Sequence, residues 1–427
     1  MVHTLNFIDL FAGAGGLSEG FVRAGYRPLA HIEMDKYACD TLKTRSAFHW
    51  LKANNQLKKY KKYLYEKQEK EDGSNLWEQV PQDVIESVIH EAIGENTIDN
   101  IFAKVDKLKG DKQVDVIIGG PPCQSYSVAG RARMGKAVEN DPRNELYKYY
   151  VKFMERYQPK MFVFENVLGI RTAKQGKPFE NLKCLVDKAG YEMKDHIQIA
   201  SQHGVLQNRQ RVIIVGWKKG TVFHYPELAK GKIKYEVFKD LFIDLPERKH
   251  GEGKLCSPVK YTKPLSEMKY LKESNIRSND FDFTTQHIAR PNNENDREIY
   301  KIAVDLWLNE NKRLDYSKIP DRLQHHKNKE SFLNRFQVVD PKGCCHTVVA
   351  HIAMDGHYYI YPTLNPTIEN VRSITIRVAA RLQSFPDNYY FDGSRSSAFK
   401  QIGNAVPVAL AYKIAKELKE QLAYELH

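Results

Sequence analysis

Short apolar runs alternate with amphipathic stretches along the first half of the chain. Runs that predict strands occupy Leu5–Phe11, Pro28–Ile32, Val114–Ile118, Met161–Glu165, His196–Ala200 and Arg211–Trp217. Helix-like segments lie between most of them: Glu19–Ala24, Lys36–Leu42, Glu145–Arg156 and Glu180–Ala189. This alternation predicts an α/β fold, a parallel sheet wrapped on both faces. Residues 43 to about 100 break the rhythm. Between Lys43 and Lys70, nine Lys/Arg stand against two Glu, interspersed with Trp50, Tyr60, Tyr63 and Tyr65. Val84–Ile93 predicts an amphipathic helix. The stretch reads as a helical insertion, a solvated cationic hairpin on the sheet edge. A DNA-backbone contact or a protein partner is the alternative.

From about Leu245 to Asn370 the strand–helix alternation is lost. Pro, Asn, His, Lys and Arg become frequent, and strand-like pieces shrink to Thr347–Ile352 and Tyr358–Tyr361. A second, irregular lobe is expected there. Helical signal returns at Ile376–Gln383 and Val408–Leu422. With 427 residues, two packed lobes are the default.

Composition narrows the class. An apolar content of 42% with 28% charged residues is that of a soluble globular protein. No apolar run reaches the roughly 18 residues that span a bilayer. The opening MVHTLNFIDLF leaves no room for a cleavable leader, so a cytoplasmic location is expected. The six cysteines form no CxxC pair, which argues against a zinc ribbon or redox motif and for reduced thiols. The net charge of +12 suits a polyanionic partner.

Candidate chemistry clusters at predicted strand ends. FIDLFAGAGGL (7–17) is a strand running into a turn with Gly13, Gly15 and Gly16, where a backbone approaches a ligand closely. The next strand ends at Glu33, an acid able to accept ribose hydroxyls. Both features fit an adenosine sulfonium or a nicotinamide nucleotide equally. VDVIIGGPPCQSYS (114–127) then separates these readings. Two prolines fix the backbone just before Cys123, at the end of a strand where parallel sheets bind ligands. The following Val128–Asn140 stretch, with Gly130, Arg131, Arg133, Gly135 and Lys136, suits a cationic flap over a phosphate backbone. Glu165 closes another apolar strand, where poor solvation favours a protonated carboxyl. Arg209 and Arg211 share one face of a strand and suit a pyrimidine carbonyl or a carboxylate. The histidines His325, His326, His346, His351 and His357 have no metal-ligand spacing; surface or phosphate roles are expected, and no metal.

In this order the pieces resemble the cytosine carbon-5 DNA methyltransferase family, over roughly residues 5–42, 103–217 and 371–415. FIDLFAGAGGL is similar to its cofactor turn, with Phe11, Gly13, Gly15 and Gly16; Glu33 and Met34 match the ribose side, and Asp106 the acid near the adenine. GGPPCQSYS is similar to the nucleophile loop, with Pro122 on the cofactor side, Cys123 as nucleophile, and Gln124 and Ser127 toward DNA, followed by Arg131 and Arg133. Asp141-Pro142-Arg143-Asn144 with Leu146 resembles the segment closing the cofactor pocket. Glu165-Asn166-Val167 matches the catalytic acid motif. Gln207, Arg209 and Arg211 match the basic motif beside the target base. RVAARLQSFP (377–386) resembles the brace of the recognition region. QIGNAVP (401–407) resembles the closing motif, which returns Asn404 and Val406 to the cofactor. Val378, Leu206 and Gln210 depart from the usual Glu, Pro and Glu; the first loosens the expected brace between lobes.

The resemblance implies an S-adenosylmethionine-dependent, Rossmann-like catalytic domain of residues 1–225 and 395–427. A smaller target recognition domain, 226–394, would carry Thr347. The implied reaction adds Cys123 to carbon 6 of a flipped cytosine, protonates N3 with help from Glu165, and methylates carbon 5, leaving S-adenosylhomocysteine. Arg211 would hold the carbonyl and Arg209 orient Glu165. Double-stranded DNA is the implied partner, with a restriction endonuclease in the same system but no stable complex, and a monomeric enzyme. Three other readings stand beside it: an RNA cytosine methyltransferase, a nicotinamide dehydrogenase, and a DNA-binding module without activity.

Overall fold

The computed structural model describes residues 4–122, 145–326 and 330–424. Cys123, Gln124, Ser127, Arg131, Arg133 and the 141–144 segment lie outside the described residues. The strands are β1 (Asn6–Leu10), β2 (Arg27–Glu33), β3 (Val88–His90), β4 (Val116–Gly119), β5 (Met161–Asn166), β6 (Tyr191–Ile199), a short β7 (Gln207–Asn208) and β8 (Gln210–Lys218). Seven of them form one sheet in the order β3-β2-β1-β4-β5-β8-β6. All five residues of β1 are buried, as expected of a central strand covered on both faces. The sheet is mixed rather than wholly parallel, because β8 runs antiparallel to β5 and β6. Only a tight turn and β7 join β6 to β8, too little chain for a crossover helix, so the strand must return antiparallel.

One face is covered by α1 (Gly16–Arg23) and α13 (Val408–Tyr424) through Leu17, Phe21, Leu410, Ile414 and Leu418. A Cβ on Gly20 would lie 2.4 Å from Ala411 Cβ, so these helices meet backbone to backbone. The other face is covered by α6 (Ile98–Lys109), α7 (Leu146–Tyr157) and α8 (Lys177–Lys188), with Ile101, Val105, Tyr150, Met154, Leu182 and Val186.

The insertion differs from expectation in two ways. Val84–Ile93 is not one helix: α5 (Gln82–Glu86) stops and β3 pairs with β2, extending the sheet. Nor are α2 (Lys36–Ala53), α3 (Leu57–Glu66) and α4 (Ser74–Trp77) a solvated hairpin. Phe48, Leu51, Tyr60, Tyr63, Leu64 and Leu76 share a core with Leu241, Leu271, Phe281, Phe283, Tyr359 and Phe385. Lys67 is buried in this wall, where it pairs with Asp392 at 3.2 Å and donates to Tyr63 Oη at 2.7 Å. Its charge is tolerated there because it is paired and hydrogen-bonded.

Between Lys219 and Thr375 regular structure is sparse, chiefly α9 (Lys269–Glu273) and α10 (Glu294–Glu310). The expected strand Thr347–Ile352 does not form: the two residues before it, Cys345–His346, pair parallel to β7, and a 3-10 turn follows at Ala350–Ala353; of Tyr358–Tyr361 only Ile360 makes single bridges. Next come α11 (Ile376–Leu382), capped by the Thr375 hydroxyl on Val378 N, and α12 (Arg395–Asn404). Arg381 on α11 reaches Asp244 at 2.5 Å and Asp387 at 2.6 Å, and Arg277 reaches Asp244 at 2.6 Å. This buried network braces the region where Val378 replaces the expected acid.

Candidate active site

The parallel strands β1, β2, β4 and β5 bring their C-terminal ends to one edge of the sheet. At β1, Phe11 adopts φ 57°, rare for a bulky residue and typical of functional turns. Gly15 has φ 77°, and a Cβ there would press on Leu42 and on Tyr389 Oη. Tyr389 holds the turn from behind, donating to Ala14 O at 2.5 Å. A Cβ on Gly16 would lie 2.4 Å from Val406 O, so the closing motif returns to the glycine turn with Asn404 exposed beside it.

Glu33 Oε2 accepts Gly13 N at 2.7 Å, and Oε1 accepts Met34 N and Asp35 N at 2.9 and 2.8 Å. Three of about four lone-pair sites are thus used, and one remains on Oε2. Met34 is 63% exposed at the rim. Among the described residues nothing lies within 4 Å of a Cβ placed on Gly13. Asp9, buried on β1, has no hydrogen-bond partner for Oδ2 among the described residues. Burial, and then the Glu33 charge, push its carboxyl well above the usual range. A small-residue turn and an acid with spare capacity suit the polar groups of an adenosine-type cofactor.

The Pro-Pro and Glu-Asn-Val tips are neighbours, since β4 pairs with β5 in the register Gly119↔Phe164. A Cβ on Gly120 would lie 2.7 Å from Glu165 Oε2, so any side chain there would displace the carboxylate. Asn166 Nδ2 donates to Pro121 O at 3.4 Å. Glu165 is little exposed but is not a lone acid: Arg211 Nε lies 2.7 Å from its Oε1. Arg211 also donates through Nη1 to Gln210 O at 2.8 Å. Leu146 opens α7, and Pro122 ends the described part of the loop.

Other predicted residues lie elsewhere. Arg209 is fully buried, with Nη1 on Val348 O at 2.6 Å and Nη2 on Gly403 O at 3.1 Å; it is Arg211 that holds Glu165. Gln207, expected against DNA, is also fully buried. It donates to Leu382 O and Gln383 Oε1 and accepts Val348 N, so its amide is consumed inside the protein. Asp106 sits in the last turn of α6, at the sheet edge opposite the strand tips, paired with Arg156 at 2.5 Å. The acid beside Glu33 is Glu91, whose N–H donates to Glu33 O at 2.9 Å. Its sequence signal is a β-branched pair running into an acid, Val88-Ile89-His90-Glu91. Thr347 Oγ1 donates to Asn208 O at 2.9 Å, next to the basic motif. His346 and His357 are half-buried and spend a ring nitrogen inside the protein, on Tyr358 O and Tyr300 Oη. Among the described residues no helix is long and apolar enough to cross a membrane. No cluster of three or more His, Cys, Asp or Glu among them could hold a metal.

A family model described as C-5 cytosine-specific DNA methylase matches residues 5–71 and 73–420. The chain is 38% identical to the type II methyltransferase M.Bpa9945I of Bacillus paralicheniformis, over 97% of this chain and 98% of that protein. It is 28% identical to the type II methyltransferase M1.HphI of Haemophilus parahaemolyticus, over 97% of this chain and 86% of that protein. In fold it is similar to a protein encoded within an E. coli prophage, with a TM-score of 0.63 and 23% identity over 98% of this chain and 99% of that one.

Proposed function

Because this chain belongs to the C-5 cytosine-specific DNA methylase family, we propose that it methylates carbon 5 of a cytosine rotated out of double-stranded DNA. The methyl donor is S-adenosylmethionine, Cys123 is the covalent nucleophile, and the setting is a type II restriction-modification system. The observation that carries this reading is the Glu165–Arg211 pair standing against Gly120, three residues before Cys123.

Rotation out of the duplex is required because stacking hides the face to be attacked. Cys123, as thiolate, forms a bond to carbon 6 while N3 takes a proton from Glu165. The displaced double-bond electrons make carbon 5 an enamine carbon. Arg211 fixes Glu165 and offers Nη2 to the pyrimidine carbonyl. S-adenosylmethionine, when bound, supplies a methyl group on a sulfonium. A base then removes the carbon-5 proton, the ring double bond re-forms, and Cys123 leaves as thiolate while N3 returns its proton. Phe11, Gly13, Gly15, Gly16, Glu33, Met34, Pro122, Leu146, Asn404 and Val406 would hold the donor. Residues 226–394, with Thr347, would read the sequence, with Gln124, Ser127, Arg131 and Arg133 on the DNA. The enzyme is expected to act as a cytoplasmic monomer, forming no stable complex with a cognate endonuclease.

Duplex DNA carrying 5-fluorocytosine tests this, since fluorine cannot leave as a proton does. A covalent adduct on Cys123 is expected, none with Cys123→Ala, and DNA binding by that variant is retained. An adduct mapped to the exposed Cys184, or substantial turnover by Cys123→Ala, would overturn it. Methyl acceptance by tRNA rather than duplex DNA would replace the substrate.

A further inference from the structure

A head-to-tail chain of buried amides connects the recognition segment to the closing motif. Val348 N donates to Gln207 Oε1 at 2.8 Å. Gln207 Nε2 donates to Gln383 Oε1 at 3.0 Å. Gln383 Nε2 donates to Ile402 O at 2.8 Å and Ala405 O at 3.3 Å. Arg209 runs alongside, bridging Val348 O and Gly403 O. Gln207, Gln383, Val348 and Arg209 are all 0% exposed. A Cβ on Gly403 would lie 2.4 Å from Ala350 N, so the two segments also touch directly. One end of the chain carries Thr347. The other flanks Asn404 and the Val406 carbonyl that abuts Gly16.

We propose that Gln383 is a positioning residue that couples DNA bound at the Thr347–Val348 segment to the cofactor pocket around Asn404, through Gln207 and Arg209. The inference rests on the function proposed above. Two features favour coupling over simple support. Each amide receives from one element and gives to the next, so the links polarise one another in a single direction. A broken link would leave a buried polar group unsatisfied, so a shift at one end is passed on rather than absorbed. Arg209 lies in the break between β7 and β8, immediately before the strand that carries Arg211, so its position bears on the strand holding the acid's partner.

The test is the affinity for S-adenosylhomocysteine, measured with and without a duplex whose sequence is read first by bisulfite sequencing of DNA methylated by the enzyme. In the wild type the duplex should tighten S-adenosylhomocysteine binding by roughly 5-fold or more, the low end of typical coupling. Gln383→Met should keep the DNA-free affinity within about 2-fold and lose most of that gain. Retention of the full gain, equal weakening with and without DNA, or no gain in the wild type would each overturn the proposal. Gln207→Met, breaking the previous link, should lose the gain likewise and serves if Gln383→Met does not fold. In the wild type, adding duplex should also slow amide exchange across residues 402–408; unchanged exchange there counts against the coupling. A wild-type protein that binds neither duplex nor S-adenosylhomocysteine would defeat the proposed function itself, whereas both binding with coupling intact in the variants defeats only this inference.

Discussion

Arg211 and Arg381 both hold carboxylates, but in opposite surroundings. Arg381 is fully enclosed between Asp244 and Asp387, and those acids are further engaged by Arg277 and the Tyr261 hydroxyl. Arg211 and Glu165 keep 13% and 12% side-chain exposure and share a single short contact at the sheet edge. In the first region every partner is protein, so the charges can only fix position. In the second, among the described residues, a carboxylate oxygen and a guanidinium nitrogen have no hydrogen-bond partner beside a strand tip, so the pair can meet a ligand. Burial of charge alone therefore does not mark chemistry; unspent hydrogen-bonding capacity at a cleft does.

The sharpest way to break this contrast is Arg381→Met. Removing one member of a buried ionic network leaves uncompensated charge and should cost about 3–5 kcal/mol of folding stability. Urea unfolding measures it. A loss no larger than that of a surface substitution would mean the brace is not the anchor between α11 and the Asp244 segment.

Arg211→Met should behave in the reverse sense. Loss of one preorganised donor typically lowers turnover by about 10²–10³-fold, while stability should fall by less than for Arg381→Met, because Glu165, at 12% side-chain exposure, keeps a path to water that the enclosed acids of the brace lack. Methyl transfer and urea unfolding on the same preparation decide it. An unfolding penalty matching that of Arg381→Met, with turnover intact, would place Arg211 with the brace.

The two regions are not equally legible in the sequence. Central strands such as β1 and β4 announce themselves because burial on both faces demands unbroken apolar runs. β3 does not: three residues between polar turns carry no period, so Val84–Ile93 reads as helix and the acid near β2 falls to Asp106 instead of Glu91. The basic motif singles out Gln207 and Arg209, but a motif does not say which polar side chains spend their bonds inside the protein. The insertion's core is written in its Tyr60-Tyr63-Leu64 stripe, at i, i+3, i+4 spacing, but the surrounding lysines mask it. The Asp244–Arg381 contact spans 137 positions and leaves no local trace.

Acid should weaken the fold through two histidines, the buried His31 and the half-buried His346. Burial, with His49 nearby, pushes His31 down to about 4, and burial pushes His346 down to about 4. Among the described residues His31 Nδ1 has no partner, while Nε2 lies 2.8 Å from Ser18 Oγ. An unfolded histidine titrates near 6.5, so the unfolded state takes the proton first. The contribution is therefore full above about pH 6.5 and lost as pH falls toward 4, amounting to about 2 kcal/mol per histidine between pH 7 and 5. His31→Gln should flatten that slope by one histidine's share in urea titrations at both pH values. An unchanged slope would mean that the ring is already protonated or solvated in the folded protein.

The smallest effect comes from within the insertion. Lys62 and Lys67 are indistinguishable by composition, yet Lys62 only approaches Glu66 at 3.8 Å, with 71% and 64% exposure, whereas Lys67 is sealed against Asp392 at 2% and 3%. Lys62→Ala should change stability by no more than about 0.5 kcal/mol, because an exposed i,i+4 pair gains little over solvated ions. The same variant asks whether the outer face of the insertion meets DNA. Removing one lysine that neutralises a phosphate lowers the salt dependence of binding by about one unit of slope. With the inner face of α3 committed to the core, its basic residues need no nucleic acid to account for them, and an unchanged slope is expected. A slope reduced by about one would restore the DNA-backbone role to the lysine-rich face, and the insertion would then serve both as an internal strut and as a contact surface.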